Sequence, residues 1–124
     1  MTTQLIDAGY YTPTLTNTTN LDDSTSSEFM WTRIGDKVIV AGRVDVDPTA
    51  AAPTATALTM SVPLPTANFT SGNDANGTIN APLITSESGA IAANVGAQTV
   101  VANFSALSTA NHAMRMIFMY RIRQ

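Results

Sequence analysis

The chain has 124 residues, enough for one domain with a core of its own. Its formal charge is −3 and only six residues are cationic, so it lacks the dense basic patch that nucleic acid requires. Without cysteine there is no disulfide or thiolate chemistry. No apolar stretch is long enough to cross a bilayer. Together these features predict that the protein contacts neither nucleic acid nor membrane. The first residues also lack the pattern of a secretory signal, so we expect the protein to be used without Sec export.

Short strand patterns recur between turn residues, and helical periodicity is nowhere sustained. We predict eight strands in chain order, at residues 9–15, 27–34, 37–47, 57–63, 77–86, 89–94, 98–105 and 112–123. Polar segments such as residues 16–26 are typical of loops. The pattern predicts an all-β fold, an antiparallel two-sheet β-sandwich of the eight-stranded jelly-roll type. We divide the chain into an N-terminal arm at 1–8 and a jelly-roll domain at 9–124.

The pair Gly35-Asp36 lies between two strand patterns and predicts a two-residue hairpin turn. With that turn, Trp31 opposes Val40 and Phe29 opposes Gly42, where a glycine leaves room for the ring or marks a bulge. One face of the hairpin is then a core face. Its members are Phe29, Trp31, Val38, Val40, Val44 and Val46. The opposite face is mixed rather than polar.

The last predicted strand is apolar on both faces. One face is an uninterrupted stripe of Met114, Met116, Phe118, Tyr120 and Ile122. The other carries Ile117 and Met119 between cationic residues. A strand buried on one side only is polar on the other, so we expect this second face to meet another subunit. The candidate interface residues are Arg115, Ile117, Met119, Arg121, Ile39 and Met30. The alternative is that the chain's own loops cover them.

Candidate chemistry is sparse. His112 is the only histidine, and a catalytic role would need a nucleophile that the sequence does not offer; we expect a structural or surface role for it. The acidic clusters Asp22-Asp23 with Glu28, and Asp45 with Asp47, are sources of oxygen ligands for calcium. They lack the dense Asp/Asn/Gly ladder of a calcium loop, so solvated loops are the favoured interpretation. We expect no catalytic residues, no metal and no cofactor.

Four segments in chain order resemble a structural module of tailed bacteriophages. They are residues 11–17 (YTPTLTN), 29–48 (FMWTRIGDKVIVAGRVDVDP), 61–65 (SVPLP) and 118–122 (FMYRI). The resemblance implies a jelly roll of the tumour-necrosis-factor/C1q type, assembled as a homotrimer. Such modules form the tips of tail fibres and spikes, and similar domains are capsid decoration, or cement, proteins.

The resemblance favours a non-enzymatic decoration protein that is made in the host cytoplasm and lies on the outer capsid surface of the virion. There it would stabilise the head at three-fold or quasi-three-fold sites by binding the major capsid protein. We expect the N-terminal arm to contact the capsid through Gln4, Leu5, Ile6 and Tyr10. The alternative is a tail-fibre or tail-tip module that recognises a host glycan or protein through loops such as 47–53 and 71–77. The absence of a shaft segment ahead of the domain favours decoration.

Overall fold

The structure is a computed structural model and describes residues 5–123. This part of the chain is all-β, with one 3-10 turn at Gly72–Asp74. The strands are β1 (Ile6–Tyr11), β2 (Leu15–Thr19), β3 (Leu21–Ser26), β4 (Phe29–Ile34), β5 (Lys37–Pro48), β6 (Thr54–Ser61), β7 (Ala75–Asn80), β8 (Ser88–Ala93), β9 (Thr99–Ala106) and β10 (His112–Arg121). Residues 5–123 contain no helix with the length and apolarity needed to span a membrane.

The strands form one antiparallel sheet in the order β1-β4-β5-β10-β7-β8-β9-β6-β2. The long strand β5 pairs with β10 along one edge. Along its other edge it pairs first with β4 and then with β3. The Ser24 hydroxyl of β3 donates to Asn17 Oδ1 of β2 at 2.5 Å, which links the last strand of this order to the strand that pairs with β5. The prediction of an all-β antiparallel fold is confirmed, and the sheet curls around its core.

The predicted number of eight strands is wrong, because the described chain has ten. Residues 16–26, which we expected to be a polar loop, form most of β2 and all of β3. Their side chains are mainly exposed, so the segment carries no apolar alternation. Backbone pairing with β6 and β5 holds these strands instead. The predicted strand 77–86 also ends early, at Asn80, ahead of Pro82.

The predicted first hairpin is confirmed. Trp31 pairs with Val40 across the Gly35-Asp36 turn. A Cβ at Gly42 would lie 2.3 Å from Phe29 Cγ, so the missing side chain makes room for the ring. The four valines of the core face are fully buried, whereas Trp31 is only partly buried and packs against Gly9 of β1.

The stripe on β10 is also where the sequence predicts it. Met114, Met116, Phe118 and Tyr120 are buried and Ile122 packs against the core at its edge. The core side of the curled sheet thus takes alternate residues of β5 and β10. The residues between them, including Ile117 and Met119, are left on the outer side.

Candidate interaction surface

Cross-strand pairing on the outer side of the sheet aligns apolar residues from four strands. Tyr10 pairs with Met30, Met30 with Ala41, and Ala41 with Ile117. Three of these side chains are well exposed, at 66% for Tyr10, 57% for Met30 and 50% for Ile117. Directly opposed residues lie close together on one face of a sheet, so the row is a continuous strip.

A second row runs beside the first. Thr32 pairs with Ile39, and Ile39 pairs with Met119. Ile39 and Met119 are half-buried and line a shallow depression of about 290 Å³ together with Ile117 and residues of β7. We call the combined rows the outer apolar face. Its members are Tyr10, Met30, Ile39, Ala41, Ile117 and Met119.

Charged residues border this face at the end nearer the β4–β5 turn. Arg121 Nε donates to Asp36 Oδ2 at 2.5 Å. That hydrogen bond lowers the pKa of Asp36 below its usual value and raises the pKa of Arg121. We expected Arg121 to be an interface residue, and the structure gives it a carboxylate partner in its own chain.

At the other end of the outer apolar face, Arg43 and Arg115 are directly opposed on β5 and β10. Arg43 Nη2 forms an ion pair with Asp45, 3.1 Å from each carboxylate oxygen. Arg115 is exposed and forms no ion pair with any of the residues that the structure describes. Within the described part of the chain, this guanidinium therefore borders the apolar surface without a counter-charge.

The residues expected to form a capsid-binding arm fall partly in the sheet. Ile6 and Tyr10 belong to β1, so the expected boundary between residues 8 and 9 lies inside a strand. The Leu5 carbonyl accepts a hydrogen bond from the Gly35 amide at 2.7 Å, and Gln4 lies outside the described residues. Because Tyr10 pairs with Met30, the predicted arm and the predicted interface share one surface.

The one histidine takes part in a buried contact that sequence reasoning missed. His112 Nε2 lies 2.5 Å from Glu87 Oε1, and Glu87 Oε2 accepts the Leu107 amide at 3.0 Å. Glu87 is 1% exposed. Its neighbours Thr85, Ser86 and Ser88 are polar, so the sequence resembles a solvated loop and gives no sign of a buried carboxylate.

The acidic clusters do not converge on a metal site. Asp45 is paired with Arg43, and Asp23 opposes Asp47 across β3 and β5. Among residues 5–123, no three histidine, cysteine or carboxylate side chains are grouped so that they could hold a metal ion.

A polar cleft lies between the β4–β5 turn and the 3-10 turn, and its carboxylates are bound by the chain itself. Asp36 is paired with Arg121, as described above. Asp74 accepts from the amides of Thr70 and Ser71 and from Arg123. These contacts, led by the Thr70 amide, lower the pKa of Asp74. The carboxylates of the cleft therefore stabilise this part of the fold through contacts within the chain.

None of the family models, curated proteins or solved structures compared with the chain matches it. The similarity to tailed-phage modules stays a prediction that depends on the segments quoted above.

Proposed function

We propose that the protein is a non-enzymatic structural protein of a tailed-phage virion, a homotrimeric decoration protein on the outer surface of the capsid. In this proposal the curled sheet is a two-sheet jelly roll of the tumour-necrosis-factor/C1q type. The observation that supports it most is the outer apolar face, where Tyr10, Met30 and Ile117 are each at least half exposed and aligned across neighbouring strands.

An apolar strip of this kind is unusual on a sheet that only faces water. Scattered apolar residues are normal on surfaces, whereas contiguous ones mark contacts with other molecules. Burying one large apolar side chain contributes about 1.5–3 kcal/mol, so Met30 and Ile117 would add substantially to association. Three of the four strands that carry the strip, β4, β5 and β10, are paired along both edges, and such preorganisation lowers the entropic cost of binding.

The edge strand β1 supplies the proposed contact with the major capsid protein. Within the described chain β1 pairs only with β4, so its other edge is open to an added strand. A homotrimer presents three such edges. Three simultaneous contacts with neighbouring capsid subunits turn modest affinities into strong avidity, which would tie the shell together against the pressure of packaged DNA.

The location on the virion tests this proposal. Virions of the phage that encodes the chain are labelled with an antibody against it and imaged. Label distributed over the whole head is expected. Label confined to the tail would overturn the proposal in favour of a receptor-binding module.

Assembly and head binding are tested with matched variants. Ile117→Ser removes an apolar side chain from the outer apolar face, and Leu83→Ser removes one that is 92% exposed in the loop between β7 and β8. The first is expected to weaken the trimer and its binding to undecorated heads, and the second to leave both unchanged. Equal behaviour of the two variants would contradict the role of the outer apolar face.

A further inference from the structure

We propose that Arg115 of one protomer pairs with the carboxylates of Asp23 and Asp47 in the next protomer, so that copies of the chain meet head to tail. The pairing presupposes the proposed homotrimer and names the charges that orient its subunits.

Arg115, the cationic half of the proposed pair, has no counter-charge among the residues that the structure describes. Arg115 on β10 directly opposes Arg43 on β5, and like charges in opposed positions destabilise a sheet. Asp45 neutralises Arg43 through contacts of 3.1 Å. Arg115 has no such partner among the described residues. It lies next to Ile117 on the outer side of β10, so it is well placed to meet whatever covers the apolar face.

Asp23 and Asp47, the acidic half of the proposed pair, also lack a counter-charge among the described residues. Asp23 on β3 directly opposes Asp47 on β5. Both point to the outer side, because the next pair along the strands, Ser24 and Val46, points inward with Val46 fully buried. Neither aspartate forms an ion pair with the residues at 5–123.

The two halves cannot neutralise each other within one protomer. Asp47 is four residues beyond Arg43 on β5, about 13 Å at about 3.3 Å per residue. Arg115 is on the strand at one edge of β5 and Asp23 is on the strand at the other. These opposite charges are therefore complementary only between copies.

The positions of the charges also favour one kind of contact. In a two-fold contact, Arg115 of each copy would meet Asp47 of the other copy. The symmetry axis would then pass near Asp45, and the interface around that axis would leave Ile39 and Met119 uncovered. A head-to-tail contact has no such constraint. Such a contact closes into a ring when its rotation permits, as a trimer requires. Complementary charges then fix the orientation of neighbours and penalise other arrangements.

Charge-swap variants of the full chain test the pairing, with trimer dissociation measured by light scattering and sedimentation. The singles are Arg115→Asp and Asp47→Arg. Each replaces a like-charge opposition with an attractive one inside the protomer, so neither is expected to impair folding, which circular dichroism checks. Each is expected to raise the dissociation constant of the trimer by at least about tenfold. Combining the two changes is expected to bring the constant back towards that of the wild type.

The control is Lys37→Asp, which makes the same change in net charge as Arg115→Asp and lies at the end of β5 opposite Asp47. It is expected to change the dissociation constant by less than about threefold. Singles that associate like the wild type, a double variant no better than the singles, or a control as weak as Arg115→Asp would each overturn the pairing while the homotrimer stands. A monomeric wild-type chain would overturn the homotrimer itself, and with it the proposed function.

Discussion

Glu87 and His112 join the loop between β7 and β8 to the first residue of β10, with 2.5 Å between Oε1 and Nε2. The Glu87 side chain is fully buried, and its second oxygen accepts the Leu107 amide. His112 Nδ1 in turn contacts the Ala110 carbonyl at 2.7 Å. A buried carboxylate is tolerated only when it is paired and hydrogen-bonded, so these contacts hold two loops in place at one end of the sheet.

Replacing His112 by alanine is expected to lower the free energy of unfolding by about 1–3 kcal/mol, because it leaves the buried Glu87 carboxylate without one of its hydrogen-bond partners. Urea denaturation of the wild type and the variant measures the difference. The control is Asn111→Ala at the exposed neighbouring position, where a change within about 0.5 kcal/mol is expected. Equal stabilities for the two variants would show that the Glu87–His112 contact is dispensable.

Gly42→Ala is expected to destabilise the protein by about 1–3 kcal/mol, because the new methyl group would overlap the ring of Phe29. Gly72→Ala is the matched control, since no atom lies within 4 Å of a Cβ built there. Thermal or chemical denaturation compares the two. Replacing the opposed ring by a smaller side chain, with Phe29→Leu in the Gly42→Ala background, should recover part of the lost stability. If no stability were recovered, overlap with the Phe29 ring would not be the cause of the loss.

Tyr120 is expected to make the fold sensitive to alkali. Its hydroxyl donates to the Leu64 carbonyl at 2.8 Å and accepts the Leu64 amide at 3.0 Å, and burial raises its pKa from 10.0 to about 12. The folded state therefore keeps a proton that the unfolded chain loses above pH 10. Stability from this group is complete below pH 10 and declines as the pH rises towards 12. Burial raises the pKa of Tyr11 as well, and its effect has the same sign.

Denaturation at a series of alkaline pH values checks this expectation. Tyr120→Phe is expected to cost about 1–3 kcal/mol at neutral pH, because the Leu64 backbone loses its partner. It should also make the decline above pH 10 shallower than in the wild type. A variant with an unchanged alkaline slope would exclude Tyr120 as a source of that decline.

The sequence predicts the strands correctly where one side of a strand packs in the hydrophobic core. The alternation in β4, β5 and β10 predicts the hairpin register and the inward stripe, because a one-residue slip would expose every valine on that face. The prediction failed for β2 and β3, whose polar side chains carry no periodic signal and whose pairing depends on partners distant in the chain. The alternation of β10 predicts that Ile117 and Met119 lie on the outer side of the sheet. The alignment of Tyr10 with Met30 depends on the register of β1 against β4, which the sequence does not predict.

Phe118 and Ile117 are adjacent on β10 and lie on opposite sides of the sheet, so variants at the two positions test folding and association separately. Phe118 is 1% exposed and Ile117 is 50% exposed. Phe118→Ala is expected to lower the free energy of unfolding by about 3–5 kcal/mol through loss of buried ring contacts. Ile117→Ser is expected to change the stability of the isolated protomer by less than about 1 kcal/mol, because half of its surface is already in water. Denaturation at low protein concentration measures both values, and light scattering at high concentration measures association. If Ile117→Ser instead destabilised the protomer as strongly as Phe118→Ala, the outer side of β10 would belong to the fold and not to a surface for binding other copies.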